Sequence, residues 1–194
     1  ITLKPLDDVW AGIYVQNSNN LSIIKNTEII STKNFEHNGI FLTGGVNFYK
    51  SDVNITKSFI QKNQSEDAIN IINSNFELRD TEVNNTISDG IDSDFSNGLI
   101  INSLFKNIGG DAIDTSGSKI SIKKISINSV GDKGISAGES SNLYLENIQI
   151  DSSEFGIVSK DLSTIKGKEI NITNSTQYDY MAFEKKNHFG PGFI

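Results

Sequence analysis

Ser88-Asp89-Gly90-Ile91-Asp92-Ser93-Asp94 and Gly110-Asp111-Ala112-Ile113-Asp114-Thr115-Ser116 are two copies of one pattern set 22 residues apart. A small residue followed by Ile anchors each copy. Working outward, the same anchor appears at Gly12-Ile13, Gly39-Ile40, Ala68-Ile69, Gly90-Ile91, Ala112-Ile113, Gly134-Ile135 and Gly156-Ile157, at intervals of 27, 29, 22, 22, 22 and 22. A second marker runs in step: Ile29, Ile60, Val83, Phe105, Ile127, Ile150 and Ile172, spaced 31, 23, 22, 22, 23 and 22. A unit of this size cannot bury its inner face alone, whereas stacked copies share a continuous core.

Within each unit the apolar residues alternate, as half-buried strands require. Ile120, Ile122, Ile125 and Ile127 show this, as do Leu143, Leu145, Ile148 and Ile150. Asn, Ser, Asp or Gly interrupts the strands two or three times per unit. Amphipathic helical spacing is absent, and the Leu ladders and helices of a leucine-rich horseshoe are missing. The reading is an all-β, right-handed, single-stranded parallel β-helix of about 7–8 coils, forming a single domain over 1–194. Ile69, Ile91, Ile113, Ile135 and Ile157 form the inward ladder. Thr27, Ser58, Thr81 and Ser103 form another inward column, which turns into Ile125, Ile148 and Ile170. The two longer early units place insertions in Asn34–His37 and in Gly44–Ser51, the latter read as a Gly-rich loop that either packs on the coil or offers its aromatics to a sugar.

Composition narrows the function classes. The net charge of −7 opposes binding to a phosphate backbone. Arg79 is the sole arginine, and there is no cysteine for a disulfide, a thiolate metal site or a nucleophile. His37 and His188 do not suggest a histidine metal site. No apolar run is long enough to span a bilayer. Pro5 and Pro191 lie near the ends, leaving the centre open to uninterrupted sheet. Ile1 is a poor natural start, and Phe193-Ile194 closely follows a strand-like stretch, so the chain is expected to be a segment of a longer protein with other modules.

Aligned coils show where chemistry can sit. Before the anchor come Asp67, Asp89, Asp111 and Lys133. Two residues past its first member come Asn70, Asp92, Asp114 and Ser136, and four past it Ile72, Asp94, Ser116, Gly138 and Lys160. With Ile inward, Asp92, Asp94, Asp114, Ser116, Ser136 and Lys160 are expected on one exposed face, bordered by the first column. Stacked carboxylates repel and raise one another's pKa unless compensated by turn N–H groups, by Lys133 and Lys160, or by a hard cation. Asp89, Asp92, Asp111 and Asp114 are the candidate Ca²⁺ ligands. Asp92, Asp111, Asp114 and Lys133 are the candidate catalytic groups, with carboxylates as acid and base on a glycosidic bond or Lys133 as base for β-elimination. Asp94, Ser136 and Lys160 are the candidate substrate-binding groups. Against this stands a plain turn-capping role for Asp67, Asp89 and Asp111. Glu139 and Asp161, one position further on, read as turn or rim residues.

The segments Ser88–Ser96, Gly109–Ser118, Gly131–Glu139 and Ser159–Ser163 resemble a family of bacterial β-helix domains found in large extracytoplasmic proteins, some with spore-coat-H-like kinase or lamin-tail-like modules. The resemblance runs from Trp10-Ala11-Gly12-Ile13 through Phe48–Val53 to Lys185-Lys186. It implies an extracytoplasmic setting and no particular activity. More distantly, the coils resemble the pectin-lyase-like superfamily of polysaccharide lyases, hydrolases and epimerases. That resemblance implies a carbohydrate-interacting protein, with an acidic polysaccharide as candidate partner. The Gly-His-Gly and Arg-x-Lys elements of the polygalacturonase type are missing, and Arg79 lies on a different strand from the acidic face. A non-catalytic structural or adhesive module of a surface protein is the alternative.

Overall fold

A computed structural model describes residues 1–194. The chain winds as a parallel β-helix with three walls per coil. Eight strands form the front sheet: Ile13–Gln16, Gly44–Tyr49, Asp67–Ile72, Asp89–Asp94, Ile113–Ser116, Lys133–Gly138, Phe155–Lys160 and Tyr178–Phe183. The other two walls are separate strands early on, such as Asn75–Arg79 and Glu82–Thr86. They fuse later into the single long strands Lys119–Val130, Asn142–Asp151 and Thr164–Thr173.

The corners explain why this sequence can coil without proline and with few glycines. Glu139-Ser140 and Asp161-Leu162 turn two of the front corners as pairs of positive φ, and most other corners are turned by one such residue. After the front strands these are Asn17, Lys50, Asn73, Phe95 and Gly117. At the second corner they are Asn26, Lys57, Asp80, Asn102, Lys124, Asn147 and Glu169. At the third they are Ser31, Lys62, Asn85, Asn107, Ser129, Ser152 and Asn174. A single left-handed residue reverses the alternation of side chains, so the residue after it points inward. Asn tolerates this conformation best among residues with a Cβ, and it is the most frequent occupant.

The interior is one cluster of 31 buried apolar residues. The front ladder runs Ile13, Val46, Ile69, Ile91, Ile113, Ile135, Ile157 and Tyr180, and Val46 through Ile157 are fully or almost fully buried. Each buried Ile contributes about 1.5–3 kcal/mol. The second marker is confirmed from Ile29 to Ile172 and extends back to Leu3.

Two expectations are corrected. Gly39-Ile40 is no rung of the ladder, because Val46 pairs with Ile13 and with Ile69. Gly44–Tyr49 is a regular front strand with Phe48 in the core, not a loop. The irregular segment is an antiparallel hairpin of Phe35–His37 and Ile40–Leu42. The Gly-Ile pair at its tip imitates the anchor, and pairing register, not local sequence, separates the two.

Candidate functional site

Hydrogen-bonded register sets the outward side chains of the front sheet in three columns. Gly44, Asp67 and Asp89 share the first, with Asp111 and Lys133 continuing it and Phe155 following Lys133. Tyr14, Asn47, Asn70, Asp92, Asp114, Ser136 and Val158 form the second. Gln16, Tyr49, Ile72, Asp94, Ser116 and Gly138 form the third. Neighbours in a column stand roughly 4.8 Å apart. Six carboxyl groups therefore crowd three adjacent coils, as the aligned sequence indicates.

The face is less open than expected. Asp67 and Asp111 are 3% and 5% exposed, and Ser136 is fully buried with no partner for its hydroxyl. Lys160, also buried, lies across it. Its ammonium reaches to 4.0 Å from Asp114 Oδ1. Its stem passes Gly138, with Cε in ordinary van der Waals reach of where a Gly138 Cβ would stand. Lys160 and Ser136 are thus both buried rather than open on the face.

The first column caps turns. Asp89 Oδ1 accepts the Asp111 N–H at 2.8 Å, and Asp111 Oδ1 accepts the Lys133 N–H at 3.0 Å and its ammonium at 3.3 Å. Asp67 is held by the Asn70 amide, which donates to its Oδ2 at 2.8 Å. The capping role and the crowding coexist: Asp89 and Asp111 each use Oδ1 for the backbone of the next coil and keep the other oxygen, whereas Asp67 is held by a side chain.

The carboxyls of Asp92 and Asp94 accept no hydrogen bond that would offset burial and the charges around them. Burial, then the charges of Asp94, Asp67, Asp114 and Asp89, push Asp92 up to about 9. Burial and Asp114 raise Asp94 to about 6. Burial raises Asp67 and Asp89 to about 6 and Asp111 to about 7, in the last case against the pull of Lys133. Asp114 accepts the Thr115 N–H at 2.9 Å and faces Lys160, contacts suited to a carboxylate. Asp92 is thus the carboxyl of the row that is pushed up furthest.

Lys133 is a counter-ion rather than a base. Burial alone would lower its pKa, but Asp111 and its neighbour Asp132 outweigh burial and raise it. A proton-accepting Lys133 in β-elimination would have to work against both contacts.

For a cation, Asp89, Asp111 and Asp114 bring oxygens within 4.8 Å of one another, whereas Asp92 does not join that set. Three carboxylates meet part of the 6–8 oxygens that Ca²⁺ takes, and the Lys133 ammonium competes at Asp111.

The sequence reading passed over two features. One is the C-terminal segment, where Asp161 accepts the N–H groups of both Lys185 and Lys186 at 2.7 Å. That brings the Lys186 ammonium to Glu139 and near Asp94. The other is a serine column at the front corner: Ser51, Ser74, Ser96, Ser118, Ser141 and Ser163. Its intervals of 23, 22, 22, 23 and 22 match the coil period and were available to the same alignment. Arg79 sits on another wall and pairs with Glu77 at 2.5 Å, as its strand placement implied.

No family model matches this chain, and no curated protein matches it. Among solved structures it is similar to the catalytic domain of a GH87 alpha-1,3-glucanase in complex with nigerose. The identity is 11% and the TM-score 0.29, with 98% of this chain aligned to 58% of that one. A variant of a GH87 alpha-1,3-glucanase catalytic domain in complex with tetrasaccharides is similar at 10% identity and a TM-score of 0.25, with the same coverage. The chain thus spans 58% of the length of both. The β-helix itself rests on the strand register above.

Proposed function

We propose that the front face binds a polysaccharide and that its acid row transfers protons at a glycosidic bond. The observation that carries this is the placement of Asp92, one rung from Asp114 and on the same strand as Asp94, where burial and the neighbouring carboxylates push its carboxyl up to about 9. General acid–base cleavage needs a proton donor and a carboxylate on either side of one bond. Asp92 would donate to the leaving oxygen, and Asp94 or Asp114 would take the proton of the attacking water. Asp111 holds Lys133, and Lys133 and Lys160 balance the remaining charge. The protonated state of Lys133 favours hydrolysis over elimination.

Charge also bears on the substrate. An acidic polysaccharide needs its carboxylates shielded at such a row, and a Ca²⁺ held by Asp89, Asp111 and Asp114 would supply that shielding. A neutral polysaccharide needs no ion. Either substrate goes with an extracytoplasmic setting. A second reading, a non-catalytic module of a surface protein, draws support from the turn caps made by Asp89 and Asp111.

The test is a screen of neutral and uronic-acid polysaccharides with wild type, Asp92→Asn and Asp114→Ala. It reads reducing ends for hydrolysis and ultraviolet absorbance of unsaturated uronates for elimination. Hydrolysis lost in both variants supports the proposal. Binding without turnover leaves the module reading, and neither binding nor turnover, with or without Ca²⁺, sinks the carbohydrate reading.

A further inference from the structure

We propose that an uncharged cleft at the N-terminal end of the front sheet is a subsite for a neutral pyranose stretch of the polysaccharide that the acid row acts on. This inference rests on reading that row as glycan-facing. The Phe35–His37/Ile40–Leu42 hairpin is the one antiparallel element of the chain, and it stands beside the outward face of the first front strands. Its tip leaves Ile40 and Phe41 46% and 56% exposed. Apolar surface held in water by an inserted element disfavours the insertion unless something covers it.

With Tyr14, Tyr49 and the strand Asp67–Ile72, the hairpin encloses a cleft of about 400 Å³, a size typical of small-ligand sites. The hairpin is anchored at its base. Asn70 donates to Thr43 Oγ1 at 2.9 Å, and Asn47 Oδ1 accepts the Gly44 N–H at 3.0 Å. Asn70 also donates to Asp67, so one side chain ties the cleft wall to the acid row.

Three features together select a neutral sugar. No residue lining the cleft is charged, whereas the adjoining rungs carry the acids. Aromatic rings and a side-chain amide, Tyr14, Phe41, Tyr49 and Gln16, are the mixture that accommodates the C–H faces and hydroxyls of a pyranose. Lys50 lies 5.1 Å from the Tyr49 ring centre, and Tyr14 and Phe41 are the more exposed rings, at 39% and 56%. Continuity is the third: Asn70 pairs with Asp92 and Ile72 with Asp94, so a chain lying in the cleft continues onto the acids within one rung. A polyanion would lose hydration in the cleft, whose lining residues offer no cation in return and which has Lys50 only beside Tyr49 at its edge.

Affinity electrophoresis of the full chain tests this, in gels containing soluble starch, mixed-linkage β-glucan, galactomannan or polygalacturonate. Retardation of wild type by a neutral polysaccharide is expected. It should weaken about 3- to 10-fold in Phe41→Ala and in Tyr14→Ala. Phe41→Trp, which keeps a ring, should match wild type, and Asp92→Asn should lose turnover while still being retarded. Equal retardation of wild type and the two alanine variants overturns the cleft and leaves the acid row standing. Retardation by polygalacturonate alone overturns the neutral class. If Phe41→Ala instead dissolves a concentration-dependent dimer in size-exclusion chromatography, the hairpin is an interface between copies and the subsite falls. No retardation and no product from any polysaccharide overturns both readings.

Discussion

The serine column at the front corner and the aspartates of the front sheet climb the same coils with the same period, yet their polar atoms end in different states. Each serine hydroxyl from Ser51 to Ser141 accepts the backbone N–H of the preceding coil and donates to a carbonyl of its own coil. Ser96, for example, takes the Ser74 N–H at 3.1 Å and gives to Asp94 O at 2.8 Å. Ser118 repeats this with the Ser96 N–H and Ser116 O. A hydroxyl both donates and accepts, so a stack of identical serines satisfies itself. An ionised carboxylate only accepts. Among the stacked aspartates Asp89, Asp111 and Asp114 each accept a backbone N–H, whereas the Asp92 carboxyl accepts none, and burial with the neighbouring charges pushes it up to about 9. Repetition makes a scaffold from the first side chain and a reactive surface from the second.

The largest expected effect separates the two columns by activity. Asp92→Asn should lower kcat/KM on the polysaccharide found in the screen by about 10²- to 10⁴-fold. Ser96→Ala should leave it near wild type in a reducing-end assay. Equal losses in both would erase the distinction between scaffold and site.

Stability should separate them the other way. Ser118→Ala strands the buried Ser96 N–H and should cost about 1–3 kcal/mol in denaturant unfolding, equally at pH 5 and pH 8. Asp92→Asn removes a group that resists ionisation and should raise the midpoint at pH 8. A loss there of the size seen for Ser118→Ala would mean that Asp92 is part of the scaffold.

The pH profile sharpens this further. Asp67, Asp89, Asp94, Asp111 and Asp92 all have folded-state values, from about 6 to about 9, above the ordinary 3.8. The folded state therefore binds protons more tightly, and its stabilisation is full below about pH 4 and lost as pH rises through these values. The thermal midpoint of wild type should fall from pH 5 to pH 9, and Asp92→Asn should flatten the upper part of that fall. A midpoint that rises over this range would contradict the raised values.

The smallest expected effect concerns Ca²⁺. At pH 8, Ca²⁺ at a few times its Kd against chelator should stabilise the protein by about 1 kcal/mol. Asp114→Asn should remove that gain. No shift in wild type would leave Asp89 and Asp111 as turn caps alone.

How far the site was legible depended on the kind of residue. Asp92, Asp94 and Asp114 could be placed on one face because strand alternation and a 22-residue period locate an outward side chain without coordinates. Ser136 and Lys160 were placed on the right columns but on too open a face. The Lys160 stem lies along the face past Gly138 towards Asp114, a reach between coils that the repeat does not encode. Of the two insertions expected from the sequence, Asn34–His37 falls in the hairpin, whereas Gly44–Ser51 does not, because Gly39-Ile40 copies the anchor motif and displaces the register. The serine column was overlooked for its chemistry, since small polar residues after a corner read as ordinary turn.

By itself the sequence determined the coil, its period, the inward ladders and the alignment of the acids. These are one-dimensional properties: a β-helix contacts only its neighbours, so register along the chain becomes position in space. The tertiary structure alone decided which of those acids keep a proton, where Lys133 and Lys160 direct their charge, and that a hairpin stands beside the acid row. Each of these depends on burial and on side chains reaching between coils, and desolvation and Coulomb interaction follow distance through space, which the repeat period does not encode.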